Sequence, residues 1–148
     1  MESKSKSTKS ALKRLKYLPK MGTAFIFLIL LVAAYLLFAG RKSDALQSGW
    51  ILMHLPDFYI HVSNFTLSYI LYASIGYVWL LIGIDLKKII ILGIIIIAIN
   101  FIFELWIPVL NTRDVVDAYY GCVGTAFGFF FLFITKKLGL RPNITVEK

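Results

Sequence analysis

Long apolar stretches alternate with short polar connections along this chain. The first stretch, residues 21–40, has no charged side chain, and about 20 apolar residues in a helix span a bilayer core of roughly 30 Å. Similar, mostly apolar stretches cover residues 57–84, 88–107 and 114–135. The pattern predicts an all-α, polytopic membrane protein in which four transmembrane helices form a bundle.

The connections carry the signals that end each stretch. Residues 41–56 mix polar and apolar positions and predict a short interfacial helix around Trp50. A polar turn at residues 85–88 ends the second stretch, and Pro108 ends the third.

A basic segment precedes the first stretch, so a cleaved signal peptide is an alternative there. The stretch is long for the hydrophobic region of a signal peptide, and Leu37-Phe38-Ala39 is a poor cleavage site. We therefore interpret the first stretch as an uncleaved helix.

The composition agrees with burial in a membrane. The chain has 148 residues, of which 59% are apolar and 16% are charged, whereas a soluble domain is about half apolar and about a quarter charged. The aromatic content of 16% excludes a disordered chain. The length allows one domain, so we divide the chain into a basic tail (1–20), a transmembrane domain (21–135) and a second tail (136–148).

Basic side chains are concentrated in alternate connections. The N-terminal tail has seven, the turn at 85–88 has two and the C-terminal tail has four, so 13 of the 16 lie on one side. The opposite side has Arg41, Lys42 and Arg113. Because Lys and Arg are retained in the cytoplasm, both termini are predicted to be cytoplasmic. We interpret the first tail as a topology determinant that contacts anionic lipids, and we expect no nucleic-acid binding.

Polar side chains within the predicted spans are informative because placing a polar group inside a membrane costs free energy. Glu104, Asp117 and His61 each lie roughly 10 to 14 Å from the middle of their own segment, toward the external side. Three different helices thus bring ionisable groups to one level. We predict an outer polar cluster, a binding site that consists of Asp57, His61, Asn64, Glu104, Arg113, Asp114 and Asp117.

Helical spacing places these residues on shared faces. On the third segment, Asn100 and Glu104 are one turn apart. The second segment carries a polar stripe at i, i+4, i+7 and i+11, formed by Asp57, His61, Asn64 and Ser68. On the fourth segment, small residues continue the face that starts at Asp117, and such residues let helices pack closely in lipid. These packing residues are Gly121, Gly124 and Gly128.

Two motifs in these segments resemble those of VanZ-like membrane proteins. Asp57 and His61 match a D-x-x-x-H motif at the start of the second helix. The last third resembles a pattern of Glu, an Arg nine residues later, and D-x-x-x-N-x-x-G-x-x-x-G, with matches at Glu104, Arg113, Asp117, Gly124 and Gly128. The chain departs from the family pattern at three positions. Phe58 stands where the family often has Lys, Gly121 where it has Asn, and Ile107 where it often has Gln.

The resemblance implies a multi-pass protein of the bacterial cytoplasmic membrane with a role in the cell envelope. The name-giving member of this family is associated with low-level resistance to the glycopeptide teicoplanin. The expected partners are membrane lipids and a lipid-linked or peptidoglycan-related ligand, whose head group binds the outer polar cluster. We expect no cofactor, while the ligand and the oligomeric state stay open.

Two alternatives use the same residues. An intramembrane enzyme acting on a lipid-linked precursor would use His61 as a general base oriented by Asp57, a pair of carboxylates from Glu104 and Asp117, and Arg113 as an anion contact. No serine or cysteine stands in a recognisable nucleophile motif. A purely structural cluster would instead join the helix ends, with Arg113 neutralising the acids and Asp57 paired with His61.

Metal binding and transport have less support from the pattern. A metal site made of His54, Asp57, His61, Glu104 and Asp117 lacks close histidine spacing, so we expect no metal. Transport needs a polar path across the membrane, and the ionisable residues stop near one interface.

Overall fold

The computed structural model describes residues 15–106 and 114–144. These residues form an almost entirely helical protein. In chain order the elements are β1 (Tyr17–Pro19), α1 (Met21–Gly40), a 3₁₀ turn (Asp44–Leu46), α2 (Gly49–His54), α3 (Phe58–Ile82), α4 (Leu86–Trp106), α5 (Val115–Ile134), a π turn (Thr135–Gly139) and β2 (Leu140–Pro142).

Four of these helices, α1, α3, α4 and α5, are long and apolar enough to cross a membrane, and they pack together. The prediction of an all-α bundle of four transmembrane helices is therefore confirmed. The short α2 lies where the interfacial helix around Trp50 was expected.

The turn between α3 and α4 differs from the prediction. Gly83 adopts a left-handed conformation (φ 87°), and hydrogen bonds from Gly83 N to Leu80 O and from Ile84 N to Trp79 O close a Schellman motif that ends α3. Helix α4 then begins at Leu86, so lysines 87 and 88 are helical rather than part of the turn. Pro108, the predicted end of this segment, lies outside the described residues.

Helix α3 lies at the centre of the bundle, in contact with α1, α4 and most extensively α5. Glycines of α5 make this approach close: a Cβ atom at Gly124 would overlap the carbonyl oxygen of Phe65, and one at Gly128 would lie 2.9 Å from Cδ1 of Tyr72. Gly121 makes room in the same way for the side chain of Asn100 on α4. The three glycines therefore sit at helix contacts, as small residues do in membrane bundles.

Residues just before α1 and just after α5 pair as a two-stranded antiparallel sheet, which we call the strap (β1 and β2). Leu18 is opposite Arg141, and Lys20 N donates to Gly139 O at 2.8 Å. The Asn143 side chain extends the contact by donating to Leu15 O, 128 positions away, at 2.8 Å. The described parts of the two predicted tails are thus joined to each other at one end of the bundle.

We call this end the strap end, and the opposite end the polar end. At the polar end α1 and α4 finish and α3 and α5 begin. The predicted cluster residues that the structure describes all belong to the polar end.

Candidate functional site

The α3 residue His61 faces the first turn of α5. Its Nδ1 atom lies 2.9 Å from Oδ1 of Asp117 and 3.6 Å from Oδ2 of Asp114. Because an ionised carboxylate only accepts, the Nδ1–H group donates to Asp117, and Nε2 stays available on the other side of the ring. The side chains are largely shielded, with exposed fractions of 12% for His61 and 15% for Asp117.

Asp114 has a second role in this arrangement. Its Oδ1 accepts a hydrogen bond from Val116 N at 2.8 Å and so caps α5, while its Oδ2 faces His61. Two carboxylates in the first turn of a helix are favourable because the helix dipole is positive there. The cap therefore holds Asp114 in place beside the imidazole.

One turn further into the bundle, Asn64 of α3 contacts Glu104 of α4. Asn64 Nδ2 donates to Glu104 Oε1 at 3.0 Å, and Glu104 is only 5% exposed. The other carboxylate oxygen, Oε2, is buried and has no hydrogen-bond partner among the described residues. Arg113, the predicted partner of this acid, lies outside them. Glu104 thus presents an acceptor that the described part of the bundle does not use.

A third pair continues the polar stripe toward the middle of the bundle. Asn100 Nδ2 donates to Ser68 Oγ at 2.9 Å and to Ile96 O at 3.0 Å. The side chain of Asn100 occupies the space beside Gly121, where a Cβ atom would lie 2.6 Å from its Cγ. The helical spacing therefore identified the face of α3 that makes interhelical polar contacts with α4 and α5.

The predicted pairing of Asp57 with His61 is wrong. Asp57 is exposed and precedes the first turn of α3, with a ψ of 3° that is outside the helical range, so the i, i+4 geometry does not apply to it. In the described structure, the acids within 4.0 Å of His61 are Asp114 and Asp117 of α5. The other histidine, His54, is exposed on α2, where its Nδ1 lies 2.9 Å from Trp50 O.

Arg41, predicted only as a charge in the connection after the first span, makes a contact that the sequence did not indicate. The guanidinium of Arg41 donates to Ser63 Oγ across the α1–α3 contact. Beside it is a cavity of about 380 Å³ at the polar end, lined by Arg41, Gln47, Leu52, Pro56, Tyr59 and Ile60. No local spacing could indicate this contact, since Ser63 is next to the polar stripe but on a different face of α3.

The polar end can do two things chemically. The donor atoms of His61, Asp114 and Asp117 lie within 4.8 Å of one another, so these three residues could bind one metal ion. The imidazole held by Asp117 also has the arrangement of a general base with its orienting carboxylate. No protein-family model matches the chain, no curated protein is significantly similar to it, and no solved structure matches it.

Proposed function

We propose that this chain is a VanZ-like multi-pass protein of the bacterial cell envelope that binds a lipid head group, or another envelope component, at its polar end. The D-x-x-x-H motif and the Glu104–Gly128 pattern support the family. The concentration of basic residues in alternate connections supports an orientation with the strap end in the cytoplasm and the polar end at the outer surface.

The buried carboxylate of Glu104 is the observation on which the binding proposal depends. A buried acceptor without a partner costs about 1–3 kcal/mol, and a charged one costs more. Two facing apolar side chains would connect α3 and α4 without that cost, and one Asn64 contact is all that the described helices supply to this carboxylate. A ligand that donates a hydrogen bond to Oε2 would remove the cost. Head groups with amine or hydroxyl groups have such donors.

The surroundings of the polar end support a ligand from the membrane. Trp50 and Met53 of α2 are 70% and 79% exposed, as expected for large apolar side chains that lie at the membrane–water boundary. The adjoining cavity is lined by Arg41, and guanidinium groups bind phosphate oxygens well. Acceptors for a donor-bearing group and a cation for a phosphate are thus present at the same end.

Conservative substitutions test the proposal. Glu104→Gln and His61→Gln keep similar size and hydrogen-bonding capacity but remove the carboxylate and the imidazole. We expect both variants to accumulate and insert like the wild type, to lose the lipid that co-purifies with the wild type, and to lose its envelope phenotype, including any change in teicoplanin susceptibility. Mass spectrometry of co-purified lipids measures the first effect.

Asp85→Asn, an exposed acid at the strap end, is the matched control and should behave as the wild type. If both glutamine variants keep the lipid and the phenotype, the polar cluster is only structural and the binding proposal fails.

The hydrogen bond of 2.9 Å between His61 and Asp117 favours a second candidate, an intramembrane enzyme that acts on a lipid-linked envelope precursor. In this candidate Asp117, not Asp57, orients the imidazole, and Nε2 takes the proton. Precursor analysis of a deletion strain separates the two candidates. A precursor that accumulates supports the enzyme, whereas unchanged precursors together with a glycopeptide phenotype support binding.

A further inference from the structure

Of the two carboxylates that face His61, one receives no hydrogen bond from the imidazole. The single proton on Nδ1 serves Asp117 at 2.9 Å, while Asp114 Oδ2, at 3.6 Å, is beyond hydrogen-bond distance. Two carboxylates thus converge on one nitrogen atom in a partly shielded place. A bound cation would satisfy all three groups at once.

We propose that His61, Asp114 and Asp117 bind a divalent metal ion. The sequence led us to expect no metal, because the ligands come from α3 and α5 and share no local spacing. One imidazole nitrogen with two carboxylate oxygens is a donor set that suits zinc. The further role that we assign to this ion, in head-group binding, rests on the proposed function.

The observed distances are close to those of a zinc site. Zinc–ligand bonds of about 2.0–2.2 Å in a tetrahedral site separate neighbouring ligand atoms by roughly 3.4 Å. The observed separations from Nδ1 are 2.9 and 3.6 Å, so small side-chain movements complete the site once the imidazole proton moves from Nδ1 to Nε2. The hydrogen bond from Val116 N to Asp114 Oδ1 orients the other oxygen toward the ion, as outer-shell contacts do in metal sites.

Glu104 provides an independent indication of a ligand near this cluster. Asn64, which holds Glu104 Oε1, is one turn from His61 on the same face of α3, and such neighbours have Cβ atoms roughly 5–6 Å apart. The 5%-exposed carboxylate keeps Oε2 unpartnered among the described residues. Before a head group binds, a metal-bound water is a strong hydrogen-bond donor, and Oε2 is the acceptor that we assign to it.

A metal ion would also resolve an electrostatic conflict in the proposed function. The carboxylates of Glu104, Asp114 and Asp117 repel a phosphate head group. A divalent ion offsets the charge of the two ligating carboxylates, and three protein ligands leave a fourth position for a water or a head-group oxygen. The chemistry expected of the ligand is therefore a phosphate oxygen bound at the metal.

Zinc titration of the purified full-length protein tests the site. Chelator-washed protein in detergent micelles is titrated with zinc chloride in a calorimeter, without added lipid. We expect about one zinc ion per chain, and at least about tenfold weaker binding in His61→Gln and Asp117→Asn, since even outer-shell partners contribute about 10- to 100-fold. His54→Gln removes the other histidine, which is exposed on α2, and should bind as the wild type.

Wild-type protein that shows no saturable zinc binding would overturn the proposal, as would wild-type affinity in both ligand variants. If those variants do not accumulate, Asp114→Asn replaces them: this side chain is 35% exposed, and the variant must also weaken zinc binding. Lipid co-purification with and without chelator separates this inference from the proposed function. Zinc binding without lipid enrichment would support the metal site and contradict head-group binding. Lipid enrichment without zinc binding would support head-group binding and contradict the metal site.

Discussion

The two ends of the bundle are held together by different kinds of bond. At the strap end, backbone hydrogen bonds between β1 and β2 join the segments that flank α1 and α5. At the polar end, side chains of α3 make the contacts: His61 with Asp117, and Asn64 with Glu104. Backbone bonds tolerate many side chains, whereas the polar end needs particular ones. The chemistry of this protein is therefore expected at the polar end.

The two ends also differ in charge. At the strap end, Lys16 and Lys136 both lie near the Tyr17 ring, with Nζ atoms 5.8 and 5.2 Å from its centroid. At the polar end, the charged side chains that the described structure places within 4.0 Å of His61 are the acids Asp114 and Asp117. A cation at an aromatic face contributes about 0.5–1 kcal/mol at exposed sites, so these two contacts add little to stability, and we expect the basic residues to act mainly on orientation.

The largest expected effect concerns which end faces the cytoplasm. A reporter fused after Lys148 should show cytoplasmic activity, and a reporter inserted near Ser48 should show external activity. The reason is that the excess of Lys and Arg keeps the strap end in the cytoplasm. Paired cytoplasmic and periplasmic reporters at each site measure this. An external C-terminus would reverse the assignment of the two ends.

Substitution of Gly124 should destabilise both ends, since it separates α3 from α5 along their contact. Gly124→Leu places a side chain against the Phe65 backbone, which cannot move without moving α3. We expect a loss of roughly 1–3 kcal/mol or more, measured by thermal unfolding in detergent. Gly22→Leu, at a site with open space around it, is the control and should unfold near the wild-type temperature.

Substitution of Gly83 should weaken the strap end alone. Gly83→Ala forces a left-handed conformation on a residue with a Cβ atom and displaces the Lys16 side chain, at an expected cost of about 1–2 kcal/mol. Zinc and lipid binding at the polar end should stay unchanged. Gly49→Ala, which meets no atom within 4 Å, provides the comparison. Loss of binding in Gly83→Ala would mean that the two ends are coupled.

The smallest effect is expected for the Ser68–Asn100 contact. In a double-mutant cycle with Ser68→Ala and Asn100→Ala, we expect a coupling energy of about 0.6 kcal/mol, the average for polar contacts between membrane helices. The pair Ser74→Ala and Asn100→Ala should show no coupling, because Ser74 lies roughly 9 Å further along α3. Equal coupling energies in the two cycles would contradict the pairing.

Hydropathy predicted the helices well for a physical reason. Inside a bilayer each backbone N–H and C=O must find a hydrogen-bond partner within its own helix, so a sufficiently long apolar stretch forms a transmembrane helix. Helix α1 spans Met21–Gly40, as predicted, and α3 differs from its prediction by one residue at the start and two at the end. The start of α4 was predicted too late. The turn closed by Gly83 is complete before Leu86, whereas the predicted polar turn extended to residue 88.

The candidate site was only half predictable from spacing. The polar stripe identified the face of α3 that bears His61 and Asn64, because helical periodicity is a local property. It did not identify the partners. Asp57 has the expected sequence distance from His61 but lies outside the helix, whereas Asp117 is 56 positions away and is the residue that His61 contacts.

The sequence by itself determined that this chain has four membrane-spanning helices, which faces of α3, α4 and α5 are polar, and where glycines allow close packing. Those properties depend on hydrophobicity and on the period of the helix, which are encoded locally. Only the tertiary structure decided that β1 pairs with β2, that Arg41 contacts Ser63, and that two acids of α5 converge on His61. Those contacts join segments far apart in the chain, and the packing of α3 against its neighbours determines which side chains meet.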